Sequence, residues 1–163
     1  MNQMLPRFLA VFLFSSSLLS QSLTASATVK ITGIWQWGWH KMIFNGVQTY
    51  SPGGTLRIKQ SGKLIHFQLS LTAGPPGSNM GLLDGTFMLH GAKGIYKDNH
   101  NKCIIYFTFL ESKSAIKLRQ TNRYRPDSYP CNFGYGVFAD GIYKRVSTEN
   151  PSLLGIGGPY SHK

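Results

Sequence analysis

The chain has 163 residues, 42% of them hydrophobic and 13% aromatic, with 17 Lys and Arg against six Asp and Glu for a formal net charge of +11. That length needs only one domain, and so few carboxylates leave little material for acid–base hydrolysis by paired Asp or Glu. The basic surplus admits anionic polysaccharide, lipid head groups, nucleic acid or an acidic protein as partner, although cations scattered along the chain serve solubility equally well.

The first residues place one charge, Arg7, before an apolar run from Phe8 to Phe14 that trails through serines into Leu18 and Leu19. Ala25-Ser26-Ala27 then has the small-x-small form of a cleavage site. Residues 1–27 are therefore expected to be a cleaved signal peptide, with Thr28 opening the mature chain. The serine-broken run is shorter than the roughly 20 residues of a spanning helix, and no cysteine lies near the site to carry a lipid. A periplasmic or secreted protein that is not lipid-anchored follows. Loss of Arg7 leaves a net charge of +10.

Strand signals fill the mature chain. Residues 29–39, rich in β-branched and aromatic side chains, read as the first strand. Its run "GIWQWGWHK" holds all three tryptophans at alternate positions, so Trp35, Trp37 and Trp39 would share one face. Ile31 and Gly33 lie on that face, and Gln36, Gly38 and His40 opposite, so Trp35 is expected to anchor the core. Trp39, between Gly38 and His40, is the candidate contact at a rim, with Trp37 and His40 as further candidates.

Segments 54–60 and 63–71 alternate apolar and polar residues and should pair as a hairpin through Ser61-Gly62. The stretch "TAGPPGSNMG", residues 72–81, carries two prolines and three glycines and reads as an exposed loop. Two shorter strands broken by glycines follow, "LLDGTFMLHG" and "AKGIYKD", then the strongly apolar "KCIIYFTFL" and the alternating "AIKLRQ". A polar loop from Thr121 to Pro130 leads to a closing strand within 137–146. About eight strands with short turns predict an all-β fold, a small antiparallel barrel in preference to a sandwich, because closure removes exposed edges. One domain over 28–146 and a flexible tail over 147–163 complete the expected organisation.

Cys103 and Cys131 are the chain's two cysteines; in an oxidising compartment they are expected to form one disulfide. No Cys-x-x-Cys, no Gly-x-Ser-x-Gly and no ligand spacing among the five histidines appears. Asp84-Gly85 and Asp140-Gly141 suit bulges or turns, while Asp98 and Glu111 fall in turns. The expectation is a non-catalytic protein without cofactor or metal. Binding has better material. Aromatic rows on strands stack on sugars or anchor protein interfaces, and the segment "RPDSYPCNFGYG" would present Tyr129, Phe133 and Tyr135 from a loop pinned at Cys131. Phe133 could equally plug a barrel end. The cluster "KLRQTNRYR", 117–125, interleaves its cations with one aromatic only, so nucleic acid is not an expected partner.

Gly33-x-Trp35 on the first strand and Arg145 at the end of the last resemble the calycin barrels, and the resemblance implies that Trp35 packs against Arg145. "NMGLLDG", "CIIYFTF" and the closing run Cys131-Asn132-Phe133-Gly134, Val137, Ala139-Asp140-Gly141, Tyr143-Lys144-Arg145 also resemble a largely uncharacterised set of small secreted bacterial β-barrel proteins, some of them lysozyme-inhibitor-like. That resemblance implies an inhibitor of lysozyme or another cell-wall hydrolase, of inhibitor or immunity type, with a protein partner. It assigns no inhibitory residue. A calycin-like carrier of a small apolar ligand, or a module binding a glycan or an anionic envelope polymer, are the alternatives. A filled interior, a cavity of about 300 Å³ or more, and an open Trp strip beside polar donors distinguish the three.

Overall fold

A computed structural model describes residues 30–110, 114–121 and 129–153. The expected leader, residues 1–27, lies outside them, as do 122–128 of the polar loop and 154–163 of the expected tail. In chain order the strands are β1 (Gly33–Gly38), β2 (Lys41–Phe44), β3 (Val47–Tyr50), β4 (Gly53–Ser61), β5 (Leu64–Thr72), β6 (Met80–His90), β7 (Lys93–Asp98), β8 (Cys103–Phe109), β9 (Ala115–Gln120) and β10 (Gly141–Ser147). Eight of them close an antiparallel barrel in the order β1-β10-β9-β8-β7-β6-β5-β4, and β2 and β3 form a separate hairpin.

The barrel arises from the alternation in the sequence. Leu56 and Ile58 of β4, Ile65, Phe67, Leu69 and Leu71 of β5, and Ile105 and Phe107 of β8 all point inward and are buried. Phe67 packs against the rings of Phe87, Tyr96 and Phe107 at 5.9, 5.1 and 5.1 Å, and Trp35 meets Phe109 edge-on at 6.5 Å. These side chains form one buried core cluster inside the barrel.

Two turns differ in detail from the reading of the sequence. The β4–β5 hairpin pairs Ser61 with Leu64, so Gly62-Lys63, not Ser61-Gly62, makes the turn, with Gly62 at φ 59°. The closing strand starts at Gly141, later than residue 137; Val137 and Ala139 are buried in the irregular segment before it.

Beyond β10 the chain keeps contact with the barrel. Pro151 is buried, and Leu153 shares a small pocket with His66 and Gln68 on β5.

Cys103 and Cys131 are joined in a disulfide. With a sequence separation of 28, the bond stabilises the fold by about 3–4 kcal/mol through the entropy of the unfolded chain.

Trp35 is fully buried, and the Arg145 guanidinium lies 4.3 Å from its ring centroid. Arg145 Nη2 donates to the Lys30 carbonyl at 3.0 Å, while among the described residues Trp35 Nε1 and Arg145 Nε have no acceptor. The stack therefore holds the pair more than hydrogen bonding does, and it is the contact that the calycin resemblance implies.

Candidate functional site

Alternate strand directions sort the connections by end. The turns after β4 and β6 are short and lie at one end of the barrel. The other end receives the hairpin after β1, the loop 73–79 after β5, the turn 99–102 after β7 and residues 129–140 before β10. Polar bonds tie these segments together. Cys131 N–H donates to Asn101 O at 3.0 Å, Gly134 N–H to Met80 O at 3.0 Å, and Asn79 Nδ2 to Tyr135 O at 2.9 Å. Asp98 accepts from Asn101 Nδ2 at 2.7 Å and from His100 N–H at 2.9 Å. The Asn101 bond, helped by these backbone donors, holds its carboxyl below the ordinary Asp range.

The tryptophan row divides at this end. Trp35 is core; Trp37 is half-buried at the barrel mouth, 6.1 Å from the ring of Tyr143. Burial, with Asp140 adding to it, pushes the Tyr143 phenol well above its ordinary pKa. Trp39 breaks the alternation: β1 ends at Gly38, and Trp39 adopts φ 61°, a left-handed conformation uncommon for a bulky residue. That turn lays its indole against Gly53, where any Cβ would collide with the ring. Trp39 remains 45% exposed. Its neighbour His40 is exposed and fixed by its backbone, donating to Ser51 Oγ at 2.9 Å and accepting from Ser51 N–H at 2.9 Å.

The β2–β3 hairpin went unread in the sequence, although Asn45-Gly46 between Phe44 and Val47 is a strong two-residue turn signal. Both turn residues have positive φ, 50° and 77°. The hairpin and loop 73–79 enclose a cleft of about 620 Å³ at the rim. Trp39 and Tyr50 supply aromatic surface, and Gln36, Thr49, Thr72 and Ser78 supply amide and hydroxyl groups. No charged side chain lines it. Pro75 and Gly74 complete its floor.

The other candidates stand apart from this cleft. Tyr129 and Tyr135 are 55% and 62% exposed on the disulfide-pinned segment, and neither lines the cleft. Phe133 is 3% exposed and seats against Gly81, where a Cβ would come within 2.6 Å of its ring. It plugs the barrel end and offers no surface contact, which corrects its place among the candidate contacts. Tyr50, Gln36, Thr49, Thr72 and Ser78 had no signal of their own, because the cleft depends on a hairpin leaving the barrel.

Among the described residues no group of three or more His, Cys, Asp or Glu side chains is placed to hold a metal ion, and no helix is long and apolar enough to cross a membrane. Comparison of the chain with protein-family models, with curated proteins and with solved structures finds no match in any of the three.

Proposed function

We propose that this protein is an exported, non-catalytic binding protein of the cell envelope that holds a neutral glycan segment in its rim cleft. One observation carries the reading: two exposed aromatic rings, Trp39 braced on Gly53 and Tyr50 on the hairpin, share a cleft whose polar groups are uncharged. Aromatic faces take the C–H faces of sugar rings, and amides and hydroxyls pair with sugar hydroxyls. The volume falls within the usual range for small-ligand sites. Export rests on the leader-like start of the sequence and on a disulfide of the kind that persists in oxidising compartments. The buried aromatic and aliphatic cluster inside the barrel weighs against a carrier of apolar ligands.

Inhibition of a lysozyme or another wall hydrolase is the second reading, favoured by Tyr129 and Tyr135 projecting from a loop that the disulfide holds. Preorganised aromatics of this sort suit protein interfaces.

Calorimetric titration with soluble neutral N-acetylglucosamine oligosaccharides separates the two. Trp39→Ala and Tyr50→Ala are each expected to weaken binding about tenfold, the loss of roughly one 1.4 kcal/mol contact, with Tyr135→Ala unchanged. Saturable capture of a muramidase that Tyr135→Ala weakens and Trp39→Ala does not would move the assignment to the inhibitor.

A further inference from the structure

The outer wall formed by β7, β8, β9 and β10 gathers cations that the sequence leaves scattered. Strand parity turns Lys93, Ile95 and Lys97 of β7 outward, with Tyr106 of β8, Lys117 and Arg119 of β9, and Ile142 and Lys144 of β10; all are exposed. Their register makes rows across the wall. Lys93 and Lys117 oppose Thr108 from either side, and Ile142 continues that row; Ile95 and Arg119 flank Tyr106 in the next. Lys97 lies opposite Ile104 in the third.

Two strand spacings put Lys93 and Lys117 about 10 Å apart, and four residues along β7 put Lys93 and Lys97 about 13 Å apart. None of the residues facing outward from these four strands is acidic. Asp98, at the end of β7, lies in the inward phase and bonds to the β7–β8 turn. Among the described residues, five cations thus share one wall with no carboxylate on its strands, and Asp140, one residue before β10, keeps its Oδ2 buried; that sign asymmetry favours a partner carrying repeated negative charge.

We infer that this wall is a docking surface for a linear anionic glycan of the envelope, whose spaced phosphate or carboxylate groups pair with Lys93, Lys97, Lys117, Arg119 and Lys144. The spacing of the cations favours a chain with charges on successive repeats over a single small anion. Tyr106 is the one exposed aromatic ring on these strands, whereas single-stranded nucleic acid is held by successive stacking platforms. Ile95 and Ile142 lie between cations on the side of the barrel and form no protruding apolar wedge for a bilayer. The wall is separate from the rim cleft, so each stands or falls by itself.

The test is capture of the oxidised protein on immobilised polygalacturonate and on immobilised poly(glycerol phosphate), with uncharged dextran as reference. Binding to at least one polyanion is expected, weakening on the order of tenfold or more between about 50 and about 200 mM salt; the stronger of the two identifies the charged group. Lys117→Glu with Arg119→Glu should lower affinity at least about tenfold, the size of a loss of one or two paired charges. Arg57→Glu with Lys59→Glu on β4, an equal charge change three strands away from β9 across β10 and β1, should lower it less than about threefold, and Trp39→Ala should leave it unchanged. Near-ultraviolet circular dichroism confirms that each variant is folded. Equal losses from the β9 and β4 pairs would overturn the assignment. So would no capture at low salt, or tighter binding to single-stranded DNA or phosphatidylglycerol vesicles than to either polymer.

Discussion

Arg145 shows how one side chain can serve the core without being fully inside it. Its guanidinium covers the Trp35 ring, and burial draws its pKa below the ordinary Arg value while leaving it charged at neutral pH. Arg145→Ala removes a partly desolvated cation–π contact and the bond to Lys30 O, and is expected to cost about 1–3 kcal/mol. Urea unfolding should show the loss as a lower midpoint with an unchanged slope. Gly33-x-Trp35 and Arg145 were legible because both lie in strongly patterned strands. Trp39 was legible only in part: alternation put it on the face of Trp35, but its positive φ turns the indole onto Gly53. No pattern of residue types encodes a single backbone reversal of that kind, although Gly38 beside it marks the end of the strand.

The elements differ in how openly the sequence declares them. Strands β4, β5, β8 and β9 could be read directly, since β4, β5 and β9 alternate, β8 is strongly apolar, and each buries one face against the same core. The β2–β3 hairpin lacks that support: its ladder runs from Lys41↔Tyr50 to Phe44↔Val47 and pairs with no barrel strand, so weak burial hid it despite its turn signal. Its independence also makes it removable. Replacing residues 41–50 with a short Gly-Ser linker is expected to shift Tm by less than about 5 °C, because barrel pairing and core are untouched. The same deletion should abolish glycan binding, since Thr49 and Tyr50 form one side of the cleft. Calorimetric melting and a binding titration on the same sample check both halves.

At the scale of the molecule, the barrel separates stability from recognition. Aromatic packing, the Trp35–Arg145 stack and the tight turns occupy the interior and one end, while the hairpin, loop 73–79 and the disulfide-pinned segment occupy the other. Closure also determines what the wall presents. Lys93 and Lys117 are distant in sequence and become neighbours across Thr108 only through the β7–β8–β9 register. Composition showed the charge surplus but not its address. The rim cleft was hidden for the same reason, because it joins the end of β1, a hairpin and a proline-bearing loop.

The most direct measurement is a nitrogen-15 NMR titration of the labelled protein with neutral N-acetylglucosamine oligosaccharides, following the indole N–H signals of the three tryptophans. Binding in the rim cleft requires the Trp39 signal to shift with saturation while that of the buried Trp35 stays in place. A Trp39 signal that does not move, or a dominant shift at Trp35 and Trp37 from a ligand entering the barrel, would contradict the cleft as the binding site.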